Sequence, residues 1–156
     1  MQVLIIEDEK HAAQNLVNLL TQIEPQVKVM SIIGTVKDSV SWLNSNEPDL
    51  IFMDVTLSDG FSYEIFDHVD LSIPVIVTSS LGKRDVRLSE LHAMYYLPKP
   101  IDKRELAKSI NKFREMDGLS KGVKGNTTSL KGGGSSGSSS KKGFLSRISK
   151  KIRRKD

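Results

Sequence analysis

Leu50-Ile51-Phe52-Met53-Asp54-Val55-Thr56-Leu57-Ser58-Asp59-Gly60 sets an aspartate directly behind a short run of large apolar residues and closes on a turn signal, Ser-Asp-Gly. A run this short, with no polar residue to mark a solvent face, reads as a strand buried on both sides, the kind found in parallel sheets. Two other runs end in the same manner. Val3-Leu4-Ile5-Ile6 leads into Glu7-Asp8, and Tyr95-Tyr96-Leu97-Pro98 leads into Lys99-Pro100. In open parallel sheets ligands sit outside the carboxyl ends of the strands, so this pattern gathers three carboxylates and a lysine at one edge. Clustered carboxylates repel unless a cation shares the site. The expectation is a divalent metal beside one special aspartate, Asp54.

Outward from these runs the chain alternates strand and helix. Residues 2–6 read as the first strand, and Ala12, Leu16, Leu19, Leu20 and Ile23 recur at helical spacing up to Pro25. Residues 27–33 read as a second strand, Gly34 as a turn, and Val36, Val40 and Leu43 as a short helix stopped by Pro48. After the third strand, 50–54, a helix is expected to carry Phe61, Ile65, Phe66 and Val69. The fourth strand is 74–79, with Pro74 at its first position, where a missing N–H is tolerated. A weakly periodic helix over 82–92 and a fifth strand at 94–97 follow. Asp102 and Glu105 have capping-box spacing, opening a last helix with Leu106, Ile110 and Phe113 on one face. Five βα units in series predict an α/β fold: a doubly wound three-layer sandwich with helices on both faces of a parallel sheet.

Charge divides the chain. Residues 1–116 hold 12 Lys and Arg against 17 Asp and Glu, a formal charge of −5, whereas residues 117–156 hold 11 against 2, or +9. The sequence pI near 9.3 therefore describes the tail, and the folded part is not a basic nucleic-acid binder. Residues 132–140 are all Gly or Ser, and a coil over 117–143 would average roughly 30 Å end to end, the behaviour of a tether. Beyond it, Phe144, Leu145, Ile148 and Ile152 share one helical face of an otherwise basic segment, 144–156. Such a segment contacts an anionic membrane or nucleic-acid phosphate, docks an acidic partner such as the folded part itself, or begins a further domain. With no cysteine, thiolate metal sites and disulfides are excluded. No apolar stretch reaches the roughly 18 residues needed to cross a bilayer, and no basic leader precedes the first strand, so the sequence reads as cytoplasmic.

This constellation resembles the receiver domain of two-component response regulators over residues 2 to about 116, and 54–66 look most like receivers of LytTR-class transcription regulators. The resemblance implies a flavodoxin-like (βα)5 fold with strand order 2-1-3-4-5. It also implies a signalling domain, not an enzyme, whose phosphoacceptor, Asp54, is charged by a sensor histidine kinase. Mg2+ or Mn2+ would be held by Asp8, Asp54 and the main-chain carbonyl of Thr56, with Glu7 acting through water. Lys99 and Ser79 would bind the phosphoryl group, Ser79 and Tyr96 would form the switch, and Pro100 would follow a cis peptide. Homodimerisation would use 82–116. The chain would divide into a receiver (1–116), a flexible linker (117–143) and the start of an output domain (144–156), a LytTR-type DNA-binding domain that lies outside this sequence. Three departures stand out. Glu7 stands where many receivers have Asp, its longer arm still reaching a metal-bound water; Ser58 replaces the usual proline and should loosen the loop after Asp54; and Ser80 replaces a usual alanine.

Other readings compete. A haloacid-dehalogenase-like phosphatase also carries its nucleophile in an Asp-x-Asp turn, but Thr56 stands where the second, proton-transferring aspartate is needed. A stand-alone receiver localised by its basic tail keeps the fold and changes the output. Singly, Glu7-Asp8-Glu9 would pass for a solvated helix start; their company at three strand ends makes the metal reading. His11, His68 and His92 lack a second ligand at metal spacing and read as surface residues, Trp42 and Tyr63 as cover for helix edges, and Met30, Met53 and Met94 as core filler.

Overall fold

The computed structural model describes residues 1–80 and 93–122, with side chains to 118. The chain divides into two units, Met1–Lys121 and Gly122–Asp156. Strands β1 (Gln2–Ile6), β2 (Lys28–Ile33), β3 (Leu50–Asp54), β6 (Val75–Ser79) and β7 (Tyr95–Pro98) form one sheet in the order β2-β1-β3-β6-β7. All its pairings are parallel. A two-stranded antiparallel hairpin, β4 (Thr56–Leu57) with β5 (Gly60–Phe61), interrupts the series immediately after β3. Helices α1 (Lys10–Ile23), α2 (Val36–Leu43) and α3 (Lys103–Gly122), with a 3-10 helix at Ser62–Asp67, complete the described elements.

Side chains alternate across the buried strands, and the two faces make two cores. Val3, Ile5, Leu50, Phe52 and Ile76 pack against Ala13, Leu16 and Leu20 of α1 and Leu106, Ile110 and Phe113 of α3. Leu4, Ile6, Ile51, Met53, Val75 and Val77 turn the other way, onto Val36 and Leu43 of α2 and Ile65 of the 3-10 helix. Residues 3–6 of β1 and 50–53 of β3 are thus uninterrupted apolar runs because both of their faces are covered, and only Gln2 and Asp54, at the strand ends, are polar. This is the three-layer, doubly wound arrangement expected from the sequence.

Several local expectations need correction. Phe61 belongs to β5 and is 40% exposed, and the predicted helix around it is a 3-10 segment that starts only after the hairpin has closed, Ser62 N–H donating to Val55 O at 2.9 Å. Met30 falls where the β1–β2 register shifts, Val3 pairing with Val29 but Leu4 with Ser31, so it sits half-buried in a bulge of an edge strand instead of filling the core. α3 continues to Gly122, so residues 117–122, read as the first part of the linker, are helical. The N-cap of α3 is as expected: Asp102 Oδ1 accepts from the amides of Arg104 and Glu105 at 2.9 and 3.1 Å. Glu105 does not return the favour, its carboxylate being taken by Tyr95 Oη and Lys108 Nζ at 3.0 and 2.6 Å. The predicted helix over 82–92, most of the linker and the basic segment lie outside the described residues. Among the described residues no helix is long and apolar enough to cross a membrane.

Candidate functional site

Parallel strands bring their carboxyl ends to one edge, and the residues following β1, β3 and β7 meet there. Glu7 continues β1 by one hydrogen bond, its N–H donating to Ile33 O at 2.8 Å, and is buried. Asp8 beside it is exposed; Asp54 closes β3 half-buried. Carboxylate oxygens from Glu7, Asp8 and Asp54 all lie within 4.8 Å of one another. Lys99 reaches in from the end of β7 and donates to Glu7 Oε2 at 2.5 Å and to Asp54 Oδ2 at 2.6 Å. The remaining oxygens of these two acids accept backbone amides, Glu9 N–H on Glu7 Oε1 at 3.0 Å and Val55 N–H on Asp54 Oδ1 at 2.7 Å.

The electrostatics of the edge follow from this geometry. Burial pushes the Glu7 carboxyl up, opposed by the Lys99 and Glu9 hydrogen bonds and reinforced by the Asp54 charge. Burial alone would pull the Lys99 ammonium down, but hydrogen bonds and charges from Asp54 and Glu7 outweigh it and hold its pKa above the ordinary lysine value. One lysine cannot balance three carboxylates. With all four groups ionised the cluster has a formal charge of −2, which a single divalent cation would cancel, and its donors are the hard oxygens that Mg2+ and Mn2+ prefer. The residues present therefore fit such an ion.

Ser79 ends β6, buried, and its carbonyl accepts the Lys99 amide at 2.8 Å, so the sheet ladder itself sets lysine and serine side by side. The Lys99–Pro100 peptide is cis. Tyr96 is half-buried against the core that includes Met53 and Val77, and burial raises its phenol pKa, a backbone hydrogen bond from Ala93 opposing. Thr56, exposed, opens the hairpin two residues after Asp54.

What the sequence does not announce is how this hairpin is tied down. Ser58 Oγ donates to Gly34 O at 3.0 Å, and Asp59, the next residue in the turn, accepts the first two amides of α2, from Val36 at 2.7 Å and Lys37 at 3.1 Å. Gly34 in turn lies against the acidic loop, where an added Cβ would stand 3.1 Å from Asp8 Cα. Gly60 completes the turn at φ +157°, a conformation side chains disfavour, and a Cβ there would meet the Glu64 carboxylate that accepts Phe61 N–H. The loop that Ser58 was expected to loosen is therefore pinned, with the serine hydroxyl as one of the pins. His11 and His68 are exposed and stand apart from this cluster; His92 lies outside the described residues.

The model of the response regulator receiver domain matches residues 3–111. The chain is 27% identical over 118 residues to the sensory transduction protein LytT of Bacillus anthracis, covering 74% of this chain and 48% of that protein. It is 26% identical over 117 residues to the transcriptional regulatory protein BtsR of Salmonella typhi, again covering 74% and 48%. The chain spans about half the length of the curated relatives it matches. Among solved structures, the response regulatory domain of protein mrkE from Klebsiella pneumoniae superposes with a TM-score of 0.68 at 21% identity, over 76% of this chain and 99% of that one.

Proposed function

Because the chain belongs to the response regulator receiver domain family, we propose that Asp54 is its phosphoacceptor. The observation that carries this reading is the meeting of Asp54 with Lys99 at 2.6 Å inside a carboxylate cluster whose charge one lysine cannot balance. A carboxylate oxygen of Asp54 attacks the phosphorus of a phosphohistidine, the P–N bond breaks, and the imidazole of the donor leaves with the electron pair. Both partners of that attack are anionic, so charge is the main barrier.

Asp8, Asp54 and the Thr56 carbonyl would hold Mg2+ or Mn2+, with Glu7 reaching it through water; when bound, the ion supplies the positive charge that lets an anionic phosphoryl group approach. Lys99, freed from one of its two carboxylates, pairs with a phosphoryl oxygen as a compact point charge. Ser79 donates its hydroxyl to another, and Tyr96 passes the change to the 82–116 surface. The donor is a sensor histidine kinase, the protein is cytoplasmic, and the switched surface pairs two copies. The output begins with the basic segment 144–156, beyond the linker. Since BtsR is named a transcriptional regulator, that output is a DNA-binding domain of regulated affinity.

The test is the intact mass of the chain after incubation with acetyl phosphate, with and without Mg2+. A Mg2+-dependent gain of one phosphoryl group, absent from Asp54→Asn, is the expected result. An adduct that persists in Asp54→Asn would move the acceptor elsewhere, and no adduct under any condition would remove phosphoryl acceptance from this chain.

A further inference from the structure

We propose that Asp59 is a positioning residue for the acidic site: by capping α2 from the turn of the β4–β5 hairpin, it fixes the backbone that follows Asp54 against the loop that carries Asp8. The proposal rests on the reading of Glu7, Asp8 and Asp54 as a cation site and deepens it.

The ties form a closed circuit through three loops. Asp54 leads into Thr56, which pairs across the hairpin with Phe61. The tip of that hairpin reaches over to α2, where Asp59 takes Val36 N–H and Lys37 N–H and Ser58 takes the carbonyl of Gly34. Gly34 is packed on Asp8, which adjoins Glu7, and Glu7 returns to Asp54 through the shared Lys99. A carboxylate with two oxygens on two successive amides is a directional clamp, stronger and better aligned than a neutral cap.

α2 does not need Asp59 to begin. Its own N-cap, Thr35, already accepts from Asp38 N–H at 3.0 Å and donates to Asp38 Oδ2 at 2.8 Å. Asp59 serves the two amides just before that of Asp38, in the same first turn and the same orphan set, and it reaches them across 23 and 22 residues of chain. Two caps thus sit on one helix end: a local one that concerns α2 alone, and a distant one that joins α2 to the phosphoacceptor loop. They can be removed separately, and that separation makes the proposal testable.

The experiment is calorimetric titration of Mg2+ into the wild-type chain, residues 1–156, and its Asp59→Ala, Asp59→Asn and Thr35→Ala variants, with thermal unfolding of each in the absence of metal. Asp59 is exposed, so its replacement leaves both cores intact. Asp59→Ala should weaken Mg2+ binding by about tenfold, the low end of what losing the outer support of a metal ligand costs. Asp59→Asn, which keeps an acceptor for Val36 but loses the one for Lys37 and the charge, should weaken binding by less than Asp59→Ala. Thr35→Ala should lower the melting temperature and leave Mg2+ affinity unchanged. Ser58→Ala, which cuts only the tie to Gly34, should move affinity in the same direction as Asp59→Ala and by less.

Wild-type affinity in Asp59→Ala would overturn the proposal, as would equal weakening in Thr35→Ala, because either makes Asp59 a helix cap and nothing more. Absence of Mg2+ binding by the wild-type chain would instead strike the cation-site reading beneath it, an outcome visible before any variant is examined.

Discussion

The two ends of this sheet carry acids in different company. At the amino end two of them have partners of their own: Asp49 Oδ2 accepts Gln2 N–H at 2.7 Å, and Glu24 is ion-paired with Arg114 from α3. At the carboxyl end Glu7, Asp8 and Asp54 crowd together and share Lys99. Among the described residues, the same residue types are thus paired at one edge and left short of positive charge at the other. A structural salt bridge closes its own account; a cluster that does not is built for something that arrives. The uneven match of charge to partner, more than the presence of acids, is what separates scaffold from site here.

This contrast can be tested where it should be sharpest. Asp54→Asn should abolish Mg2+-dependent phosphoryl uptake altogether, read by intact mass, while leaving the fold in place, since the amide keeps the shape of the carboxylate. Saturating Mg2+ should stabilise the wild-type chain by about 2.7 kcal/mol at a hundredfold excess over its Kd, read as a shift in thermal midpoint. That shift should persist in Arg114→Ala and shrink sharply in Asp54→Asn. Lys99→Met should cost about 2 kcal/mol in the metal-free protein, less than breaking a fully enclosed pair because the Asp8 side is open to water. The same substitution should tighten Mg2+ binding, because it removes a positive charge from the edge of the cation site. Opposite signs for stability and affinity at one residue would be hard to obtain from an ordinary salt bridge. Arg114→Ala should cost only about 0.5 kcal/mol, the Arg114 side chain being more than half exposed.

The smallest effect concerns Asp59, which belongs to neither group: exposed, yet committed to two amides. The hydrogen bond from Val36, then that from Lys37, holds its carboxyl below the ordinary aspartate value of 3.8. A group with a depressed folded pKa contributes stability that is present above the unfolded value and lost as pH falls through the folded one. Wild type and Asp59→Ala should therefore differ in urea midpoint at neutral pH and converge as pH drops below 3.8. A difference that stays constant through that range would mean that the carboxylate charge is not what α2 uses.

Much of this was legible before any coordinates, for a physical reason. Residues 3–6 and 50–53 are unbroken apolar runs because both faces of β1 and β3 are covered, and a chain with such strands in alternation with helices has few ways to bury them. The acids after them are then delivered to one edge by topology alone, so Glu7, Asp8, Asp54 and Lys99 could be grouped by counting strand ends. The β4–β5 hairpin could not. Thr56-Leu57 and Gly60-Phe61 are pairs too short to show a period, and Phe61, read as one more apolar residue of a helix, is spent on the hairpin and left 40% exposed, stacked on Tyr63 at 5.2 Å. Nor could the role of Asp59 be seen, because Asp before Gly reads as a turn wherever it occurs, and nothing local says that its carboxylate is promised to amides on another helix. Met30 escaped for a similar reason: a bulge is a property of two strands, and its sequence belongs to one.

Trp42 is the only tryptophan in the chain. It rides on α2, partly buried against the core that also takes in Val55, Leu57 and Tyr96. Every photon of indole emission therefore comes from one address, a helix whose first turn is held by the loop beyond Asp54. Movement of that loop, or of the Tyr96 ring, would shift the colour or lifetime of this light with no label attached, so the molecule carries its own optical gauge of the event it is built to register.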